Sequence, residues 1–157
     1  MPWDIVKPVV DESVRKLCVR PYPGHPRGCP NFFSKPGCPP DCQLITNVLD
    51  FSSAIWVVWN RYDFGEHVER MRKLHSHWSD AQLRCCLYWQ PKARQMLECE
   101  IEMFSHKHPL PGLVIARCPE GAGVNITATM KQIGIELEWP PQHWAYQVVL
   151  AGRKSIS

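Results

Sequence analysis

Cys18, Cys29, Cys38 and Cys42 all fall within LCVRPYPGHPRGCPNFFSKPGCPPDC, a stretch whose proline and glycine content excludes a helix. Pro21, Pro23, Pro26, Pro30, Pro36, Pro39 and Pro40 remove backbone donors and hold the chain in turns and extended pieces. Gly24, Gly28 and Gly37 allow dihedrals that other residues resist, so backbone can wrap closely around a bound group. The segment reads as a rigid, irregular loop presenting several thiolates to one point, as a soft metal centre requires. Cys29-Pro30 and Cys38-Pro39 set proline beside candidate ligands, a recurring arrangement in iron–sulfur loops.

Two other uses of cysteine compete with this. Eight cysteines in 157 residues could form disulfides. However, the N-terminal MPWDIVKPVVDESVRKL has no apolar signal region, which points to the reducing cytoplasm. A chain of this length can also bury its own core without staples. Zinc is the stronger rival. Paired zinc ligands usually lie roughly two to four residues apart, and only Cys38 and Cys42 approach that. The wide gaps from Cys18 to Cys29 and from Cys29 to Cys38 favour a cluster loop.

Charge adds little. Eighteen Lys and Arg against fifteen Asp and Glu leave a net +3, too small to argue for nucleic acid by itself. The basic residues Arg15, Lys16, Arg20, Arg27 and Lys35 do lie near Tyr22, Phe32 and Phe33, the charge-plus-aromatic mixture that single strands favour. A zinc-stabilised interaction or nucleic-acid-binding module is therefore one alternative. The best apolar run, AIWVVW, is only strand-sized, so no membrane partner is expected.

The expected organisation is one domain over 1–157, with an irregular metal-binding loop region at 1–50 and an α/β core at 51–152. Residues 54–59 read as a buried strand, and Asp63 caps a helix through Leu74. Ser79 and Gln82 form a capping box opening a second helix that runs to about His106, kinked or split at Pro91. Leu83, Leu87, Ala93, Leu97, Ile101 and Phe104 make its apolar face. Leu113–Ala116 reads as a strand, residues 123–133 as a helix closed by Gly134, 135–139 as extended, and 144–151 as a last strand. This rhythm predicts an α/β fold: a small parallel or mixed sheet of about three to five strands with flanking helices.

Cys118 falls just past the carboxyl end of the Leu113–Ala116 strand, the edge at which open α/β sheets bind ligands. Arg117-Cys118-Pro119-Glu120-Gly121 repeats the Cys-Pro step, so the N-terminal loop is expected to fold over this edge and Cys118 to complete the site. Pro39-Pro40 is expected to carry the chain away in an extended path, leaving Cys42 in reserve. Cys85, Cys86 and Cys99 read as small buried hydrophobes of the long helix.

Gly28-Cys29-Pro30-Asn31-Phe32 and Cys38-Pro39-Pro40 together resemble the Gly-Cys-Pro-Gly-Tyr…Cys-Pro-Pro signature of the predicted metal-binding proteins of unknown function. Gly123-Val124-Asn125-Ile126, with Thr129 and Gly134, is similar to that family's Gly-Ile-Asp-Val…Thr…Gly segment. The resemblance covers roughly residues 17–40 and 112–152. It implies a cysteine-ligated metal site on an α/β fold, and short stand-alone versions look similar to small phage-carried proteins, which would act in the host cytoplasm. Where the family tends to place a further cysteine, four residues before Cys29, this chain has His25, a reserve ligand beside Cys18.

The leading expectation is one [4Fe–4S] cluster held by Cys18, Cys29, Cys38 and Cys118, serving electron transfer to a redox partner protein or a structural role. The enzymatic alternative leaves one iron open near His25, Arg20, Arg27, Arg117 and Glu120, suited to desulfidase- or lyase-like chemistry.

Overall fold

Val57 and Val58 point to opposite faces of strand β2 (Ile55–Asp63) and both are fully buried, so this strand is covered on both sides. The computed structural model describes residues 1–21, 25–30, 34 and 38–156. Tyr22, Phe32, Phe33 and Lys35, on which part of the nucleic-acid reading rested, lie outside the described residues, as does the Asn31-Phe32 end of the resemblance motif. Strand β4 (Trp144–Arg153) runs alongside β2 from Trp56↔Ala151 to Asp63↔Trp144. The edges are β1 (Trp3–Val6) and β3 (Leu113–Ala116), giving the order β1-β2-β4-β3.

Every neighbouring pair is antiparallel, which corrects the expected parallel or mixed sheet. The reason lies in β4. Strands β2 and β3 each run opposite to β4, so they share one direction, as a helical crossover between them demands. The crossover leaves a gap one strand wide, and β4 fills it from the end of the chain. The rhythm of elements was legible, but insertion of the last strand into the middle was not. The N-terminal region is also less irregular than expected: residues 3–6 supply an edge strand, and Glu12–Val19 form a 3-10 helix that takes in Leu17, Cys18 and Val19, the start of the stretch from which helix was excluded, because its first proline comes only at Pro21.

Helix α1 (Ile45–Val48) precedes β2, and α2 (Phe64–Leu74) follows it, with the Asp63 side chain accepting from the Glu66 amide. The capping box of Ser79 and Gln82 forms as expected, yet α3 (Asp80–Leu83) lasts one turn. A 3-10 turn at Cys86–Tyr88 follows, and α4 (Gln90–Lys107) starts afresh with Pro91 in its first turn, where its missing donor costs nothing. The restart rotates Leu87 into solvent, 75% exposed, rather than onto the apolar face. Ala93, Leu97, Ile101 and Phe104 are buried as the spacing required. His75 and His108 cap the carboxyl ends of α2 and α4.

Helix α5 (Ile126–Lys131) starts later than expected, because Gly123 has φ +87° and the Asn125 side chain accepts from the Ala128 amide. It ends in a Schellman turn: Gly134, φ +79°, donates to Lys131, and Ile135 donates to Met130. Helices α1 and α5 cover one face of the sheet with Ile45, Leu49, Ile126 and Met130; α2, α3 and α4 cover the other with Phe64, Leu83, Leu97 and Phe104. Among the described residues no helix is long and apolar enough to cross a membrane.

His67 is fully buried in the second layer, its Nδ1 3.4 Å from the Tyr62 hydroxyl. Burial and the nearby Arg70 charge hold its pKa below the ordinary 6.5, against the opposing pull of Glu66 and the Leu83 backbone. Because the folded value is depressed, the stabilisation is present above pH ~6.5 and is lost as pH falls and the unfolded chain takes up a proton the fold refuses. Urea midpoints should therefore drop between pH 7.5 and pH 5 in the wild type and drop less in His67→Gln. Equal losses in both proteins would exclude His67 as the cause.

Candidate metal centre

The loop after β3 is the hub of the site. Cys118 and Pro119 carbonyls both accept from the Ala122 amide, and the Val124 amide returns to Pro119, winding residues 118–124 into a tight knot. Two other segments are tied to this knot by backbone bonds. Asp11 donates to Gly123 and Asn125 to Val9, which seats the start of the 3-10 helix carrying Cys18. Ile45 donates to Ala122 and so fixes the chain just after Cys42. Strand end, 3-10 helix and loop therefore meet at one place.

Within the N-terminal part, Cys29 is laid against Cys18: its amide donates to the Cys18 carbonyl at 2.6 Å. Only glycine fits immediately before it. Gly28 has φ +86°, and a Cβ there would lie 2.5 Å from the Cys18 carbonyl oxygen. The chain after Cys38 does not run away extended, as expected, but turns back, because the amides of Asp41 and Cys42 both donate to the Cys38 carbonyl. Cys42 consequently belongs to the site region, its Sγ donating to the Gly121 carbonyl at 2.7 Å. Arg15 clamps this turn from the 3-10 helix, donating to the carbonyls of Pro40 (3.3 Å) and Cys42 (2.9 Å), with its guanidinium 3.7 Å from Cys42 Sγ.

Gly121 stands between Cys118 and the turn at Cys38. A Cβ there would meet Cys118 Sγ at 2.8 Å and Pro39 Cδ at 2.9 Å. The backbone N–H of Gly121 donates to the Cys118 sulfur, as amides do around metal-bound thiolates. Cys42 and Cys118 line one open cleft of about 300 Å³ with Asp41, Gln43, Val48, Ala116, Arg117 and Ala122.

Electrostatics ties the cysteines together. Burial pushes the Cys118 thiol up to about 11, and charge on Cys38, Cys18 or Glu120 would push it the same way. The Cys18 thiol is raised by burial first, then by Cys29, Cys38, Glu120 and Cys42. Glu120 is itself raised by burial. Thiolates gathered here would oppose one another unless a cation compensated them, and a metal centre would supply that charge. All eight cysteines are free thiols. Among the described residues, no three His, Cys, Asp or Glu side chains are gathered tightly enough to hold a single metal ion.

Cys18 and Cys38 thus lie within electrostatic reach of Cys118, while Cys29, Cys38 and Cys42 lie within reach of Cys18. His25 lies one turn before Cys29, its carbonyl accepting from the Gly28 amide. Of the polar groups considered for an open iron, Glu120 is drawn in beside Cys18 and Cys118, Arg20 and Arg27 are exposed, and Arg117 is paired with Glu98. Cys85 and Cys86 are half-buried in the break between α3 and α4, and Cys99 is exposed on α4 rather than buried. Sequence reasoning missed the Arg15 clamp and the Gly121 contact. Only the Cys-Pro-Glu-Gly order hinted at the second. No family model, curated protein or solved structure matches this chain.

Proposed function

We propose that this is an iron–sulfur protein holding one [4Fe–4S] cluster through Cys18, Cys29, Cys38 and Cys118, in electron transfer or a structural redox role. The observation that carries the reading is that free thiols from three chain segments lie within electrostatic reach of Cys18 or Cys118, on segments anchored to the 118–124 knot through Asp11 and Ile45. Thiolates on a cluster bind different irons and surround a body of several atoms, which suits cysteines spread over three segments. The likeness of the Cys29 and Cys38 motifs to a metal-binding family points the same way.

When bound, the cluster would supply one-electron chemistry. The chain's own work is to hold and tune. Gly121 N–H donates to the Cys118 sulfur and lowers the cost of negative charge there. Gly28 and Pro39, the neighbours of Cys29 and Cys38, are buried. The test is purification without oxygen after expression with iron supplied. We expect a brown protein with iron and acid-labile sulfide in equal amounts, about four of each per chain. A colourless protein carrying zinc would overturn the proposal.

A further inference from the structure

Five thiols lie within electrostatic reach of Cys18 or Cys118, one more than the four ligands assigned above, and the surplus one, Cys42, lines the open cleft together with Cys118. Building on that assignment, we propose that Cys42 is an acceptor thiol that receives a preformed, small-thiolate-ligated iron–sulfur cluster at the cleft and hands it on to Cys118. Three observations converge on this role. Cys42 and Cys118 line the same solvent-open cleft, of small-molecule size. Cys42 Sγ is parked on the carbonyl of Gly121, the residue at which an added Cβ would lie 2.8 Å from the Cys118 sulfur, so the two thiols flank one short piece of backbone. The Arg15 guanidinium, 3.7 Å from Cys42 Sγ, puts a positive charge where the incoming body is negative, since four thiolates outweigh the charge of the cluster core.

The step is ligand exchange and balances without an oxidant or reductant. The Cys42 S–H bond breaks and an S–Fe bond forms. The bond from that iron to one small thiolate breaks, and the small thiolate leaves with the proton as a free thiol. A second exchange moves the same iron from Cys42 to Cys118, and the Cys118 proton returns to Cys42. No electron is transferred. Cys42 finishes as it began, a thiol on the Gly121 carbonyl.

The experiment mixes anaerobic apo-protein with a [4Fe–4S] cluster ligated by small thiolates, follows uptake by visible absorbance, and assays final iron and sulfide. Cys42→Ser and Cys42→Ala should reach the wild-type end point but about tenfold more slowly, the loss expected when a held thiol is replaced by solution encounter. Arg15→Gln, which removes both the charge and the clamp on the Cys42 turn but no thiol, should also slow uptake. Cys99→Ser should match the wild type. Uptake by Cys42→Ser at the wild-type rate would overturn the proposal, and so would a lowered end point, which would make Cys42 a resident ligand. A wild type that takes up neither iron nor sulfide would instead sink the cluster reading itself, and this inference with it.

Discussion

Cys38→Ser should leave the purified protein with iron and sulfide at background, and Cys29→Ser and Cys118→Ser should do the same. A serine alkoxide is a poor ligand for soft iron–sulfide, so one exchange removes a corner of the site. Cys118 carries a second argument. Its thiol is held at about 11 by burial, so as a thiolate it needs a bound cation more than an exposed cysteine would. Cys42→Ser should keep its iron, as should Cys86→Ser and Cys99→Ser. Because the knot links the 3-10 helix, the Cys38–Cys42 turn and β3, losing the cluster should also loosen the fold. With the cluster bound at about a hundredfold over its dissociation constant, roughly 3 kcal/mol of stability goes with it, or about 10 °C in melting temperature. Iron analysis and thermal melts on the same preparations settle both points. Cluster loss in Cys86→Ser as complete as in Cys38→Ser would break the ligand assignment, and a Cys42→Ser without iron beside a Cys118→Ser with it would exchange those two.

What could be read from the sequence follows the range of the forces involved. Asp63, Ser79, Pro91 and Gly134 act within one turn of the chain, and each does what local chemistry required of it. Strand positions were legible where apolar runs were long, as in Ile55–Trp59, and illegible where they were short, as in Trp3–Val6, whose pairing with β2 comes from across the sheet. Strand order is a long-range property, and no local pattern reveals that β4 inserts between β2 and β3. The same division holds at the site. The Cys-Pro steps and the strand end behind Cys118 were visible as patterns. The return of Cys42 was not, because it depends on two amides converging on the Cys38 carbonyl and on an arginine from another segment. Proline content argued for an extended path, and hydrogen bonding overrode it.

The second large effect requires no cysteine to be touched. Gly121→Ala should cost the protein most of its iron, because the new methyl would sit 2.8 Å from Cys118 Sγ and 2.9 Å from Pro39 Cδ. Neither neighbour yields easily: the proline ring is rigid, and the Cys118 backbone is bound into the knot by the Ala122 amide. Cys118 and the Cys38 turn are forced apart, with a stability cost of about 1–3 kcal/mol typical of overpacking. Gly28→Ala should be worse. There the methyl would meet backbone, 2.5 Å from the Cys18 carbonyl and 2.6 Å from Val19 C, and a φ of +86° adds roughly 1–2 kcal/mol of strain. Cys29 would then lose its bond to Cys18, and two ligands would shift together. Gly112→Ala separates strain from collision, since its φ is +70° with nothing within 4 Å of the added methyl. It should lose about 1 kcal/mol in urea titration and keep its full iron. Full iron in all three variants would mean that neither contact shapes the site, whereas iron lost only from Gly28→Ala and Gly121→Ala would trace the cluster to the two places where backbone is pressed against Cys18 and Cys118.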